Sequence, residues 1–134
     1  MAFIALIVAL GTSSADITIT VLVKHNRGSV FCSLFASADG FPGDGKKAVA
    51  TQKVKPADGK ATCTFKGYKP GTYAAAAYHD ENGNGELDSN WIGIPTEGVG
   101  ASNNATGTMG PPKFKDARFT VPATGFSQRI KLDY

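Results

Sequence analysis

Apolar and polar residues alternate with a period of two along most of the chain from Ile17 onward, and this pattern constrains the fold most. Residues 61, 63 and 65 are Ala, Cys and Phe, whereas residues 62, 64 and 66 are Thr, Thr and Lys. Successive side chains of a β-strand point to opposite faces, so such a run has one buried and one exposed face. No stretch shows sustained helical spacing of apolar residues. The predicted class is therefore all-β.

Seven segments combine this alternation with flanking Gly, Pro, Asn or Asp, and each is predicted to be a strand. They are Ile17–Val23, Ser29–Ala36, Val49–Lys55, Lys60–Lys66, Thr72–His79, Ala117–Val121 and Ser127–Asp133. About seven short strands are typical of an antiparallel β-sandwich. Phe31 and Phe35 lie opposite Val30, Cys32 and Leu34 on the second strand, so both of its faces are expected to be covered.

The first fifteen residues differ from the rest of the 134-residue chain. Phe3 to Leu10 is an unbroken apolar run, and the small residues Ser13 and Ala15 follow it. This pattern predicts a secretory signal peptide over residues 1–15, although no Lys or Arg precedes the run. Residues 16–134 would then form a single extracytoplasmic domain, periplasmic or secreted. The alternative is an N-terminal strand that stays in the fold, and the run is too short for a membrane span of about 20 residues.

The net charge indicates which partners the chain can bind, and the cysteines indicate the compartment in which it folds. The net charge is +3, and Lys and Arg are scattered without forming a block. Neither nucleic acid nor an anionic membrane is therefore expected as a partner. Cys32 and Cys63 form an even pair in a chain that has an export signal, which favours a disulfide over two buried free thiols.

Between His79 and Asp116 the alternation stops, and the segment Asp80 to Asp88 has the spacing of a calcium-binding loop. Asp80, Asn82, Asn84 and Asp88 occupy loop positions 1, 3, 5 and 9, a glycine occupies position 6, and Glu86 offers its carbonyl at position 7. Calcium takes six to eight oxygen ligands, and alternate residues of a tight loop can point to one centre. We therefore expect calcium as the cofactor.

The loop departs from an EF-hand, because position 12 is Trp91 where an EF-hand has a bidentate Glu. The missing ligands would come from water, from both oxygens of Asp88, or from Glu97. The alternative is a metal-free turn, since Asn-Gly pairs form turns without a metal.

Other function classes have less support. His79 precedes the loop and is a candidate ligand contact, but a histidine at a strand end usually forms a hydrogen bond to a neighbouring loop. Hydrolase and zinc-site motifs are missing from the sequence, so we expect no enzyme activity. Trp91, Tyr78 and Phe114 are candidates for an aromatic platform in a carbohydrate-binding module, against the alternative that they anchor the loop to the core. The partner, a protein or a glycan, stays open.

Several motifs together resemble one bacterial family. They are the runs Gly71–Ala74, His79–Asp88, Gly93–Gly98, Ser102–Asn104 and Pro111–Phe114. The chain resembles the family called domain of unknown function 2141, whose members are small exported bacterial proteins. The resemblance implies a transthyretin-like, collagen-adhesin-repeat-like or immunoglobulin-like sandwich and brings no catalytic residue. Transthyretin-related hydrolases end in Tyr-Arg-Gly-Ser, whereas this chain ends in Lys-Leu-Asp-Tyr, so that activity is not carried over.

Overall fold

A computed structural model describes residues 14–81, 98–107 and 110–134. Within these ranges, the strands are β1 (Ala15–Leu22), β2 (Ser29–Phe35), β3 (Ala50–Val54), β4 (Lys60–Tyr68), β5 (Gly71–Asp80), β6 (Val99–Ala101), β7 (Phe119–Val121) and β8 (Phe126–Lys131). A four-residue helix, α1 (Phe114–Ala117), and two 3-10 turns (Gly45–Lys47 and Ser102–Asn104) lie between strands. The all-β prediction is confirmed.

The strands form two sheets. One has the order β4-β1-β8, and the other has the order β3-β2-β5-β6, with β7 also paired to β5. Neighbouring strands are antiparallel, except that β1 and β8 run parallel. This pair departs from the antiparallel expectation. The last strand of the chain, β8, lies beside the first strand and runs in the same direction.

The core lies between the sheets and consists of the side chains that alternation assigns to their inner faces. Ile17, Ile19 and Val21 of β1 are fully buried, as are Val30 and Cys32 of β2. Burying each aliphatic side chain stabilises the fold by roughly 1.5–3 kcal/mol.

The predicted disulfide is confirmed and joins the two sheets. Cys32 on β2 is bonded to Cys63 on β4, and their Cα atoms are 6.5 Å apart. Both residues have no exposed surface. The bond therefore ties the sheets together at the centre of the core.

A second, smaller cluster covers the outer face of β5. Ala74 packs there with Ala101 and Ala117, and Phe41 and Phe114 are packed against them. The small side chains of β5 leave room for these rings. Ala75 and Ala77 belong to the main core on the other face of β5, so both faces of this sheet are covered.

The segment from 80 to 116 contains more regular structure than the long loop predicted there. Strand β6 lies within it and helix α1 begins within it, and the predicted strand from Ala117 begins instead at Phe119. The turn of helix at Phe114–Ala117 places Ala117 in the outer cluster and delays the start of β7.

Candidate functional site

The first candidate calcium ligand, Asp80, is the last residue of β5. It pairs with Ser29 of β2 and is 1% exposed. Asp80 lies on the same face of β5 as Tyr78, which stacks on Phe31 outside the core. The loop thus starts from a buried carboxylate residue held by a paired strand.

The other candidate ligands of this loop lie outside the described residues. They are Asn82, Asn84, Glu86, Asp88 and Glu97, and Trp91 lies outside them as well. Their role in calcium binding, and that of Trp91 in carbohydrate binding, therefore stays a prediction.

His79 points to the opposite face of β5, the face that carries the core residues Ala75 and Ala77. It pairs with Val30, whose side chain is in the core, and it has no exposed surface. Its Nε2 lies 2.5 Å from the Arg27 carbonyl oxygen, and its Nδ1 lies 2.6 Å from the Tyr134 hydroxyl. A carbonyl can only accept, so we assign the proton to Nε2. His79 thus holds the β1–β2 connection, the role expected of a strand-end histidine.

His25, in the β1–β2 connection, comes next to His79 although the two are far apart in sequence. Their ring centroids are 4.9 Å apart. The Arg27 amide donates to His25 Nδ1 over 3.2 Å, so His25 Nε2 is the nitrogen that donates to the Glu81 carboxylate. Alternation along the chain brings His79 and Glu81 to one side and leaves Asp80 on the other.

The ring of Tyr134 lies beside both histidine rings. Its hydroxyl accepts a hydrogen bond from the Lys24 amide over 3.0 Å, and its ring lies against Gly98. A Cβ on Gly98 would come within 2.6 Å of the ring, so glycine is needed for this approach. Burial raises the pKa of Tyr134, the Lys24 hydrogen bond opposes the rise, and the Glu81 carboxylate adds to it. The Tyr134 hydroxyl is therefore protonated at neutral pH.

We call His25, His79, Glu81 and Tyr134 the histidine cluster. One ligand atom from each of His25, His79 and Glu81 lies within 4.8 Å of the others. The sequence contains two histidines, and the cluster includes both. Sequence reasoning missed this grouping, because nothing in the spacing of residues 25, 79 and 134 shows that the fold brings them together.

Two of the three candidate platform aromatics lie in packed positions. Tyr78 is 2% exposed, and Phe114 packs edge-to-face on Phe41. Both rings make packing contacts, and their role in sugar binding stays a prediction.

Comparison with known proteins identifies the family. A family model described as an uncharacterized protein conserved in bacteria, DUF2141, matches residues 17–129. The chain belongs to this family. The match covers β1 to β8 almost completely, so the DUF2141 domain and the sandwich coincide. No curated protein and no solved structure matches the chain. Among the residues that the structure describes, no helix has the length and apolar character needed to cross a membrane.

Proposed function

We propose that this DUF2141 domain is an extracytoplasmic, non-catalytic module that binds partners and whose 80–88 loop is ordered by one calcium ion. The position of Asp80 carries the calcium part of the proposal. The first ligand of the loop is buried at the end of a strand that is hydrogen-bonded on both sides. A ligand held on a rigid element needs less ordering when the ion binds.

The charges of the loop residues suit a calcium ion. Calcium bound by Asp80 and Asp88 would meet two negative charges, while the amide oxygens of Asn82 and Asn84 would add ligands without charge.

The extracytoplasmic part is supported by the disulfide and by the apolar run of residues 3–10. Disulfides persist in oxidising compartments and are rare in the cytosol. Cys32 and Cys63 are bonded in the core, and the run before Asp16 has the features of a signal peptide.

The melting temperature in calcium and in chelator tests the calcium proposal. A ligand that binds the folded state alone stabilises it by about 2.7 kcal/mol at 100 times its dissociation constant, so calcium should raise the melting temperature reversibly. Asp80→Asn should abolish the rise, because it removes one of the two charged ligands. Glu81→Gln is the matched control and should keep it, since residue 81 faces the other side. Equal calcium shifts in Asp80→Asn and the parent protein would refute the proposal.

A further inference from the structure

We propose that the histidine cluster is a second metal site, separate from the calcium loop, which binds a divalent transition-metal ion such as Zn²⁺ through His25, His79 and Glu81. Imidazole nitrogens favour zinc, copper and nickel, whereas calcium and magnesium favour oxygen ligands. Two nitrogens and one carboxylate oxygen, with water in the fourth position, form a known type of zinc coordination.

The geometry is close to that of a bound ion. The three ligand atoms lie within 4.8 Å of one another. Ligand atoms about 2.0–2.2 Å from a tetrahedral zinc lie roughly 3.4 Å apart, so no separation between these ligand atoms has to shrink by more than about 1.4 Å. The side chains of His25 and Glu81 are 21% and 19% exposed, so they have room to move and the ion has a path from solvent.

The surroundings already supply the outer hydrogen bonds that a ligating histidine needs. A metal-bound imidazole typically donates its other N–H to a carbonyl or a similar acceptor. An ion on either nitrogen of His79 must displace the hydrogen-bond partner of that nitrogen, and the other nitrogen keeps its own partner, the Arg27 carbonyl or the Tyr134 hydroxyl. His79 is thus oriented before an ion arrives.

Two rearrangements accompany binding of the ion through His25 Nε2. Its proton must move from Nε2 to Nδ1, which costs the 3.2 Å hydrogen bond from the Arg27 amide, an exposed bond that water can replace. The Arg27 guanidinium lies 3.2 Å from His25 Nε2 and must swing away from the cation. The side chain of Arg27 therefore opposes binding, and Arg27→Gln should tighten it about fivefold, the effect of removing a charge interaction worth about 1 kcal/mol.

Calorimetric titration of the purified chain with Zn²⁺ tests the site, and it does so independently of calcium. We expect one ion per chain. Removing a group that merely supports a ligand costs about 10- to 100-fold in affinity, so loss of a ligand in His25→Ala or Glu81→Gln should cost at least about 100-fold. Both positions are partly exposed, which favours folded variants, and circular dichroism checks their folding. Asp116→Asn, an exposed carboxylate change in α1, is the matched control and should bind as the parent does.

A second readout separates ligation from a structural role. The chain has two histidines, so imidazole nitrogen resonances report both rings directly, and zinc should shift one nitrogen of each. Co²⁺ should also give the intense visible absorption of a tetrahedral site in the parent and lose it in Glu81→Gln.

Three results would overturn the proposal. The first is no binding at millimolar Zn²⁺, which would mean that the cluster is a hydrogen-bond network alone. The second is undiminished binding in both His25→Ala and Glu81→Gln. The third is zinc binding that Asp80→Asn abolishes and Glu81→Gln leaves intact, because the ion would then lie in the calcium loop. A protein that binds zinc and not calcium would refute the proposed function and leave this site standing.

Discussion

Loss of the Cys32–Cys63 disulfide should destabilise the domain by an amount that the structure allows us to calculate. The bond closes a loop with a sequence separation of 31 residues. In the chain-entropy model, a loop of this length stabilises the folded state by about 3.7 kcal/mol at 25 °C. A domain's total stability is typically about 5–15 kcal/mol, so this is a large share.

The assay compares urea unfolding of oxidised protein with that of protein reduced in denaturant and refolded in reductant. Reduction retains both sulfur atoms, so the difference in unfolding free energy reports the cross-link with little change in packing. The Cys32→Ala/Cys63→Ala double variant is the control and should unfold at the same urea concentration with and without reductant.

Two results would refute this reasoning. If reduced and oxidised protein unfold at the same midpoint with the same slope, the cross-link does not restrict the unfolded chain as the model requires. If unfolded, non-reduced protein has two titratable thiols, the bond is missing from the protein in solution.

Three further predictions concern the loop base, alkaline pH and the N-terminus. Gly28→Ala should destabilise the fold by more than Gly59→Ala. Both glycines have a positive φ, so both substitutions strain the backbone. Only at Gly28 would the added Cβ also clash with the Asp80 carbonyl oxygen. Equal unfolding free energies for these two variants would contradict the prediction that this clash destabilises Gly28→Ala. Burial, with a smaller effect of Tyr68, raises the pKa of Tyr73 above 10.0. The folded state therefore binds the Tyr73 hydroxyl proton more tightly than the unfolded state does. The resulting stabilisation is complete below the unfolded pKa, about 10, and is lost as the pH rises through the folded pKa. Tyr73→Phe should flatten the fall in stability above pH 10, and an unchanged pH profile would count against this cause. N-terminal sequencing of exported protein should give a start at Asp16, whereas a start at Met1 would contradict the signal peptide.

The position of Ala15 bears on that cleavage. Ala15 is the first residue of β1, pairs with Tyr68 and is 3% exposed. Cleavage after Ala15 would therefore remove one residue from the strand and leave the fully buried Ile17 in place.

Strands with clear alternation could be predicted from the sequence because each buries one face against the same core. β4 is an example, since Ala61, Cys63 and Phe65 are all buried as their spacing indicates. β6 could not be predicted, because Val99–Ala101 is three residues long and its period cannot be read. The four residues of α1 are likewise too few to show helical spacing.

The candidate sites show the same limit. The predicted calcium loop is a local pattern, so its spacing is readable in the sequence at Asp80 and the residues that follow. The histidine cluster depends on the pairing of β2 with β5 and on the return of the chain to Gly98 and Tyr134. Such contacts are set by topology, and the residues 25, 79 and 134 carry no local signal for them.

Calorimetric titration of the purified protein with calcium tests the central claim most directly. The account predicts one calcium ion per chain, heat that disappears in Asp80→Asn and persists in Glu81→Gln, and weak binding of magnesium, which demands a smaller, near-octahedral shell. No heat and no shift in melting temperature at millimolar calcium, or equal binding by Asp80→Asn and the parent, would contradict the account and leave the 80–88 segment as a turn.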